Sequence, residues 1–172
     1  IYVKEGDYQL SQKKVVKQDI TLILDRLATI KPSTDTDLFE IQKNAQFVGG
    51  FIDVSEITFT SRIFLIDGAQ KFGVEHNTAI KGVRILGGTT GKAFHLLCDD
   101  ADEYISWLTI EDIEIKGMEY GIHIQLSNAT ASAWINGNVF NNIRLTNTKY
   151  GIYLERNTAL THTESACNRN IF

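Results

Sequence analysis

The feature that most constrains this chain is a segment that recurs after thirty residues. Residues 112–125 (DIEIKGMEYGIHIQ) match residues 142–155 (NIRLTNTKYGIYLE). The equivalent apolar and glycine positions are Ile113 and Ile143, Ile115 and Leu145, Tyr120 and Tyr150, Gly121 and Gly151, Ile122 and Ile152, and Ile124 and Leu154. The same spacing backwards finds Val83, Ile85, Gly87, Gly91, Phe94 and Leu96. Repeats of this length predict stacked units, because no unit can bury its apolar side alone.

Apolar residues alternate with a period of two inside each copy, as in Ile113-x-Ile115 and Ile122-x-Ile124. Short alternating stretches separated by Gly- or Asn-bearing corners indicate strands with one buried face. Equivalent strands of neighbouring copies would lie about 4.8 Å apart and share one apolar interior. We therefore predict an all-β solenoid of about 5–7 coils rather than a sandwich of hairpins.

The beginning of the chain fits this plan with poorer register. Residues 18–30 (QDITLILDRLATI) suit a helix and a strand equally well, and both readings stay open. We predict a capping segment with the first coils over residues 1–44, and parallel coils of one continuous domain over residues 45–172. The segment Ile135–Val139 fits a solenoid corner better than a hairpin turn. Because residues 170–172 begin a new strand-like pattern, we expect the chain to be a piece of a longer protein.

Charge and hydropathy exclude two classes of partner. The net charge of -4 over 172 residues argues against electrostatic binding of nucleic acid over the whole surface. No apolar run approaches the roughly 20 residues that span a bilayer, so we expect no membrane insertion. Cys98 and Cys167 are expected to be two unpaired thiols, and the sequence shows no clustered metal ligands.

The motifs together resemble a known architecture. The opening Val3-x-x-Gly6-x-Tyr8-x-Leu10 precedes an Ile-Thr-Leu-Ile-Leu strand and coils bearing Ile-x-Ile-x-Gly and Tyr-Gly-Ile-x-Ile. This pattern is similar to the right-handed, single-stranded parallel β-helix of the pectate-lyase-like superfamily, and within it to tailspikes and tail (preneck) appendages of tailed bacteriophages. The resemblance covers the first ten residues and roughly residues 45–157. It implies a homotrimer on the virion tail, outside the cell, that adsorbs to a surface polysaccharide or teichoic acid and in some members cleaves it.

Stacking places side chains that face outward in columns. The thirty-residue spacing aligns His95, Gln125 and Glu155 in one column, and Ala93, His123 and Tyr153 in the next. We expect the ligand-binding residues to be His95, His123, Gln125, Tyr153 and Glu155, on a solvent-facing patch. Planar hydrogen-bonding groups beside an aromatic ring suit sugar binding. An ordinary polar exterior or a trimer contact is the alternative.

Candidate catalytic residues are the acids of one loop, namely Asp99, Asp100, Asp102 and Glu103, together with Glu155. A pair of carboxylates is what glycoside hydrolysis requires, and carboxylate oxygens are also calcium ligands. The loop lacks the regular spacing of a calcium-binding loop, so we predict no metal or cofactor and keep calcium as the alternative. A solvated, charged turn explains the loop without any chemistry.

Two further sets of residues have plain structural explanations. Arg84, Glu114 and Arg144 align as an exposed ladder of ion pairs, with glycan binding by the arginines as the alternative. Trp107 and Trp134 are expected to be core or interface aromatics, or otherwise platforms for a sugar.

The leading functional prediction is a receptor-binding module that recognises a bacterial cell-surface glycan. Whether the protein is also an enzyme stays open. One alternative is a polysaccharide depolymerase, either a hydrolase or a lyase. The other is a structural shaft whose function lies outside this segment.

Overall fold

The fold is that of a computed structural model, which describes residues 1–127, 132–156 and 170–172. Over these residues the predicted all-β class is confirmed, because the chain forms short strands and a single three-residue 3-10 helix, Gly68–Gln70. The strands are β1 (Tyr2–Val3), β2 (Gly6–Leu10), β3 (Lys14–Val16), β4 (Thr21–Leu24), β5 (Ala28–Pro32), β6 (Phe39–Ile41), β7 (Gln46–Val48), β8 (Phe51–Asp53), β9 (Arg62–Asp67), β10 (Ala79–Lys81), β11 (Arg84–Leu86), β12 (Lys92–Cys98), β13 (Tyr104–Ser106), β14 (Thr109–Lys116), β15 (Tyr120–Leu126), β16 (Trp134–Asn136), β17 (Val139–Thr146) and β18 (Tyr150–Arg156). In this part of the chain, no helix has the length and apolar character needed to cross a membrane.

The strands pair in parallel, and each pairs with the equivalent strand of a neighbouring repeat. They form a ten-stranded, a six-stranded and a two-stranded sheet. The six-stranded sheet runs β18-β15-β12-β9-β6-β3, so chain order and sheet order coincide. Ile113 lies opposite Ile143 in neighbouring parallel strands, and Tyr120 lies opposite Tyr150, which confirms the register that the repeat predicts.

Strand β14 pairs with three other strands of the ten-stranded sheet. Its first residues pair with β10 and its last residues with β11, while β17 pairs along its length. The bend between the two halves falls at Asp112 in β14 and Asn142 in β17, whose φ angles are 56° and 51°. Asp and Asn tolerate this left-handed conformation better than other side chains do. The Asn142 amide also donates to Asp112 Oδ1 at 2.7 Å, so the stacked bends are bonded to each other.

A column of rings fills part of the interior under the six-stranded sheet. Phe39, Phe64 and Phe94 lie one above another, with ring centroids 5.7 Å and 5.0 Å apart. Phe47 meets Phe39 and Phe64 edge-on, at 4.9 Å from each. Farther along, Ile122 and Ile124 continue the buried face. Alternate residues of each strand therefore build one shared core, as the period of two predicts.

Residues 18–30 form strands β4 and β5, so the helix reading is wrong and the strand reading is right. Asp25 makes the turn between them, because its side chain accepts from the Leu27 N–H at 2.9 Å and its carbonyl accepts from the Ala28 N–H at 2.9 Å. Paired residues are fewer than thirty positions apart in this region, because Tyr2 lies opposite Ile23 and Phe39 lies opposite Phe64. Shorter loops therefore explain why the repeat fades toward the beginning of the chain.

The segment Ile135–Val139 is a corner and not a hairpin. Strand β16 before it pairs with β13, and β17 after it pairs with β14, so the two flanking strands do not pair with each other. Gly137 supplies the left-handed residue of the corner, at a φ of 66°.

Candidate functional site

The candidate site lies on the outer face of the six-stranded sheet, on β12, β15 and β18. Phe94 and Leu96 of β12 point into the core, so the alternate residue His95 points the other way. His95 lies opposite His123, and His123 lies opposite Tyr153. The neighbouring outer column contains Leu97, Gln125 and Glu155.

This register corrects the predicted columns. The fixed spacing placed His95 beside Gln125, but the strand pairing places it opposite His123, 28 positions later. The cause is a difference between corners: residues 87–91 separate β11 from β12, whereas only residues 117–119 separate β14 from β15. The prediction that Gln125 lies beside Glu155, and His123 beside Tyr153, is confirmed.

The two histidines form a buried stack. Their ring centroids are 4.7 Å apart with an interplanar angle of 16°. His95 is 4% exposed and His123 is 3% exposed, so the expectation that both imidazoles face solvent is wrong. Leu65 precedes His95 in the outer column, and the rings of Tyr120 and Tyr153 pack against His123.

Each imidazole is bonded to a residue two positions farther along the next strand. His95 Nε2 lies 2.8 Å from Gln125 Oε1, and His123 Nε2 lies 2.9 Å from Glu155 Oε2. Since a carboxylate and an amide oxygen only accept, Nε2 carries the proton in both rings. The Nδ1 atom of each ring is buried and has no hydrogen-bond partner.

Burial sets the charge of both rings. Desolvation lowers the pKa of His95 to about 3, with the bond to Gln125 acting in the opposite direction. Desolvation also lowers the pKa of His123, although Glu155 opposes the shift. Both imidazoles are therefore neutral at pH 7 and offer hydrogen bonds and flat faces rather than positive charge.

Three tyrosines lie beside the stack, Tyr120 on β15 and Tyr150 and Tyr153 on β18. Tyr120 stacks on His123 at 4.9 Å and on Tyr150 at 5.0 Å. Tyr153 contacts His123 at 5.3 Å, Tyr120 at 5.4 Å and Tyr150 at 5.2 Å. We call His95, His123, Tyr120, Tyr150 and Tyr153 the His–Tyr cluster. Of its members, Tyr150 is 37% exposed. Glu155, which is bonded to His123 of the cluster, has a side chain that is 44% exposed.

Charged groups border the His–Tyr cluster on one edge. Lys92 Nζ lies 5.6 Å from the centre of the Tyr120 ring, and Lys149 Nζ lies 5.0 Å from that of Tyr150. Lys149 is also paired with Glu119 at 2.9 Å. Sequence reasoning missed Tyr120 and Tyr150 as site residues, although the repeated Tyr-Gly-Ile was the signal that could have identified them.

The acidic loop lies apart from this cluster and folds back on itself. Asp99, Asp100 and Asp102 are exposed, whereas Glu103 is buried and accepts the N–H groups of Asp99 and Asp100 at 2.7 and 3.0 Å. Burial raises the pKa of Glu103 despite these two bonds. Among the described residues, no three His, Cys, Asp or Glu side chains are grouped as a metal site would require. The Glu103 carboxylate thus fixes the loop in its observed shape.

The predicted ladder of ion pairs is wrong, although its register is right. Arg84, Glu114 and Arg144 lie opposite one another in β11, β14 and β17. The Arg84 guanidinium instead donates to the Arg26 carbonyl at 2.9 Å and lies over the Phe51 ring. Of the two cysteines, Cys98 is buried in the core and Cys167 lies outside the described residues.

In comparisons with known proteins, no family model, no curated protein and no solved structure matches this chain. What the protein does is therefore inferred from its own residues and their geometry.

Proposed function

We propose that this protein binds a bacterial cell-surface glycan, a polysaccharide or teichoic acid, through the His–Tyr cluster. The observation that carries the proposal is the group of touching rings, Tyr120, Tyr150 and Tyr153, with the exposed carboxylate of Glu155 at its border. Sugars present apolar C–H faces and a rim of hydroxyl groups. Flat rings match the faces, and carboxylate, amide and phenol groups match the rim.

The arrangement of the cluster favours a rigid binding site. The rings are held by parallel strands on stacked repeats, and the buried imidazole of His123 supports Tyr120 and Tyr153 from behind. Side chains fixed by packing lose little conformational freedom when a ligand binds. A site of this kind can hold an extended polymer along the surface without rearrangement.

The architecture fits the same proposal. We infer that the parallel sheets belong to a right-handed, single-stranded parallel β-helix, of the kind used by tailspikes and tail appendages of tailed bacteriophages. The support is the pairing of each strand with its equivalent one repeat away, together with the opening Gly6–Leu10 strand beside Ala28–Pro32. In this proposal the protein is a homotrimer on the virion, outside the cell, and the glycan is the receptor for adsorption.

A retention experiment tests the proposal. The probes are Gram-positive sacculi that carry wall teichoic acid and the same sacculi after hydrofluoric acid has removed it. We expect the protein to sediment with one or both, and Tyr150→Ala and Tyr153→Ala to reduce retention by about tenfold or more. Tyr8→Ala is the matched control, because Tyr8 is also 37% exposed and lies on β2, away from the His–Tyr cluster.

The outcomes separate the alternatives. Failure of the protein to bind either preparation, or equal retention of the Tyr150, Tyr153 and Tyr8 variants, contradicts binding through this cluster. Release of new reducing ends or unsaturated products from the sacculi would instead indicate a depolymerase. A trimer in solution that buries Tyr150 and Tyr153 between subunits would support the structural shaft.

A further inference from the structure

A second aromatic surface lies on the two-stranded sheet, away from the His–Tyr cluster. Ile105 of β13 and Ile135 of β16 are fully buried, so the residues beside them in each strand face outward. Tyr104 lies opposite Trp134, and their rings stack 5.1 Å apart with an interplanar angle of only 6°. Both side chains are half-buried, and the stack covers one face of each ring, at the start of both strands.

Trp107 follows β13 and has an unusual backbone conformation. Its φ is 63°, in the left-handed region that bulky side chains rarely adopt. The equivalent corner one repeat later has Gly137 at a φ of 66°, and a Cβ there would lie 3.9 Å from the Trp107 ring. The indole therefore lies beside the backbone of Gly137.

Burial does not explain why a tryptophan occupies this corner. Trp107 remains 57% exposed, one of the most exposed large apolar side chains of the described chain. A conformation that is unfavourable for tryptophan, kept for a ring that stays largely in solvent, indicates a role outside the core. Strained residues of this sort concentrate at ligand sites.

Polar groups and charges beside the rings indicate what kind of ligand would fit. Ser106 Oγ donates to Asn136 Oδ1 at 2.8 Å, and the Asn136 Nδ2 has no partner among the described residues. The exposed carboxylates of Asp99, Asp100 and Asp102 precede β13 in the chain. Their negative charge disfavours phosphate-bearing polymers, including nucleic acid and teichoic acid.

We propose that Trp107, Tyr104 and Trp134 form a second binding surface, which takes an uncharged pyranose sugar. The aromatic faces contact the C–H side of the ring, and Asn136 donates to a hydroxyl group. This surface shares no residue with the His–Tyr cluster and lies on a different sheet. The proposal is therefore independent of the glycan site proposed above.

Tryptophan fluorescence reports on this surface directly, because both tryptophans of the chain belong to the surface. Intrinsic fluorescence is recorded during titration with cellohexaose, chitohexaose and maltohexaose, up to about 10 mM, where weak single-site affinities are detectable. We expect one of these sugars to shift the emission saturably. Trp107→Gly should weaken that binding about tenfold or more, with Trp134 still supplying the signal. Trp107→Phe should restore part of it.

Thermal unfolding separates a binding role from a structural one. Glycine adopts a positive φ without strain, so Trp107→Gly should leave the melting temperature nearly unchanged. Leu27→Ala is the matched control, because Leu27 is 56% exposed and lies between β4 and β5 of the ten-stranded sheet. It should alter neither sugar binding nor melting.

Three results would overturn the proposal. These are no emission change with any of the hexasaccharides, unchanged affinity in Trp107→Gly, or a fall in melting temperature for Trp107→Gly as large as that of a core substitution. An equal response to poly(glycerol phosphate) would contradict the preference for an uncharged ligand. Loss of sacculus retention in Tyr153→Ala with the sugar-induced emission change intact would show that the two surfaces are separate.

Discussion

The two faces of the six-stranded sheet have the same geometry and different chemistry. On the inner face Phe64 stacks on Phe94 at 5.0 Å and 14°, and on the outer face His95 stacks on His123 at 4.7 Å and 16°. Both stacks arise because parallel strands in register place equivalent side chains directly over one another. Stacking is thus imposed by the backbone, and the choice of side chain alone decides whether a face closes the core or carries polar groups.

Removing a ring from the inner face should have the largest effect. Phe64 is fully buried between Phe39 and Phe94, so Phe64→Ala leaves a cavity in the middle of the column. We expect the free energy of unfolding to fall by about 3–5 kcal/mol, measured by urea denaturation. Phe64→Leu is the control and should cost clearly less. A loss below about 1 kcal/mol for the alanine variant would mean that the inner stack is not the stabilising face.

Lowering the pH should have the second-largest effect on stability, because the outer face has titratable imidazoles where the inner stack has phenylalanines. Unfolded histidine has a pKa near 6.5, while the pKa of His95 in the folded protein is about 3. Between these values the unfolded chain binds a proton that the folded one excludes. The stability that His95 contributes is therefore fully present above pH 6.5 and is lost progressively as the pH falls toward 3.

The expected loss from His95 is about 2 kcal/mol between roughly pH 7.5 and pH 5. His95→Phe keeps a flat ring in the outer stack but cannot take up a proton. Its free energy of unfolding should therefore vary less with pH than that of the unmodified protein over the same range. Identical pH profiles for the two proteins would contradict a buried, neutral imidazole at this position.

The smallest effect concerns the border of the outer face. Glu155 accepts a hydrogen bond from His123 but its side chain is 44% exposed, so water replaces the lost contact. We expect Glu155→Gln to lower the free energy of unfolding by at most about 1 kcal/mol. The pKa of His123 should fall further, since Glu155 is the group that raises it, and NMR titration of the imidazole measures this. An unchanged or higher pKa would mean that the observed contact does not persist in solution.

Much of the fold could be predicted from the sequence because the later repeats keep their spacing. The alternation of Ile113, Ile115, Ile122 and Ile124 identified strands and their buried face, and the repeat identified which strands would pair. Near the beginning of the chain the loops are shorter, so spacing there gave no reliable register. A helix remained plausible at residues 18–30 because short strands and helix turns share the same apolar pattern.

The candidate site was harder to predict, because spacing does not reveal what covers a side chain. His95 and His123 were placed on the correct face, yet the burial of His123 depends on Tyr120 and Tyr153, whose rings pack against it, and His95 in turn stacks on His123. The prediction that His95 lies beside Gln125 came from an incorrect register. The two side chains are nevertheless hydrogen-bonded, because they meet diagonally across neighbouring strands. The sequence predicts Trp107 to be a core or interface aromatic, or otherwise a platform for a sugar, and its left-handed backbone has no signature in a single sequence.

The unequal corners have an evolutionary consequence. Residues 87–91 and residues 117–119 differ in number, yet both deliver the next strand to an equivalent place in the sheet. A change in length is therefore confined to the corner in which it occurs. Insertions and deletions can accumulate there in the gene without displacing the strands on either side, and any inserted loop is displayed on the outside. For this architecture, acquiring a new loop to recognise a new molecule is a small genetic step.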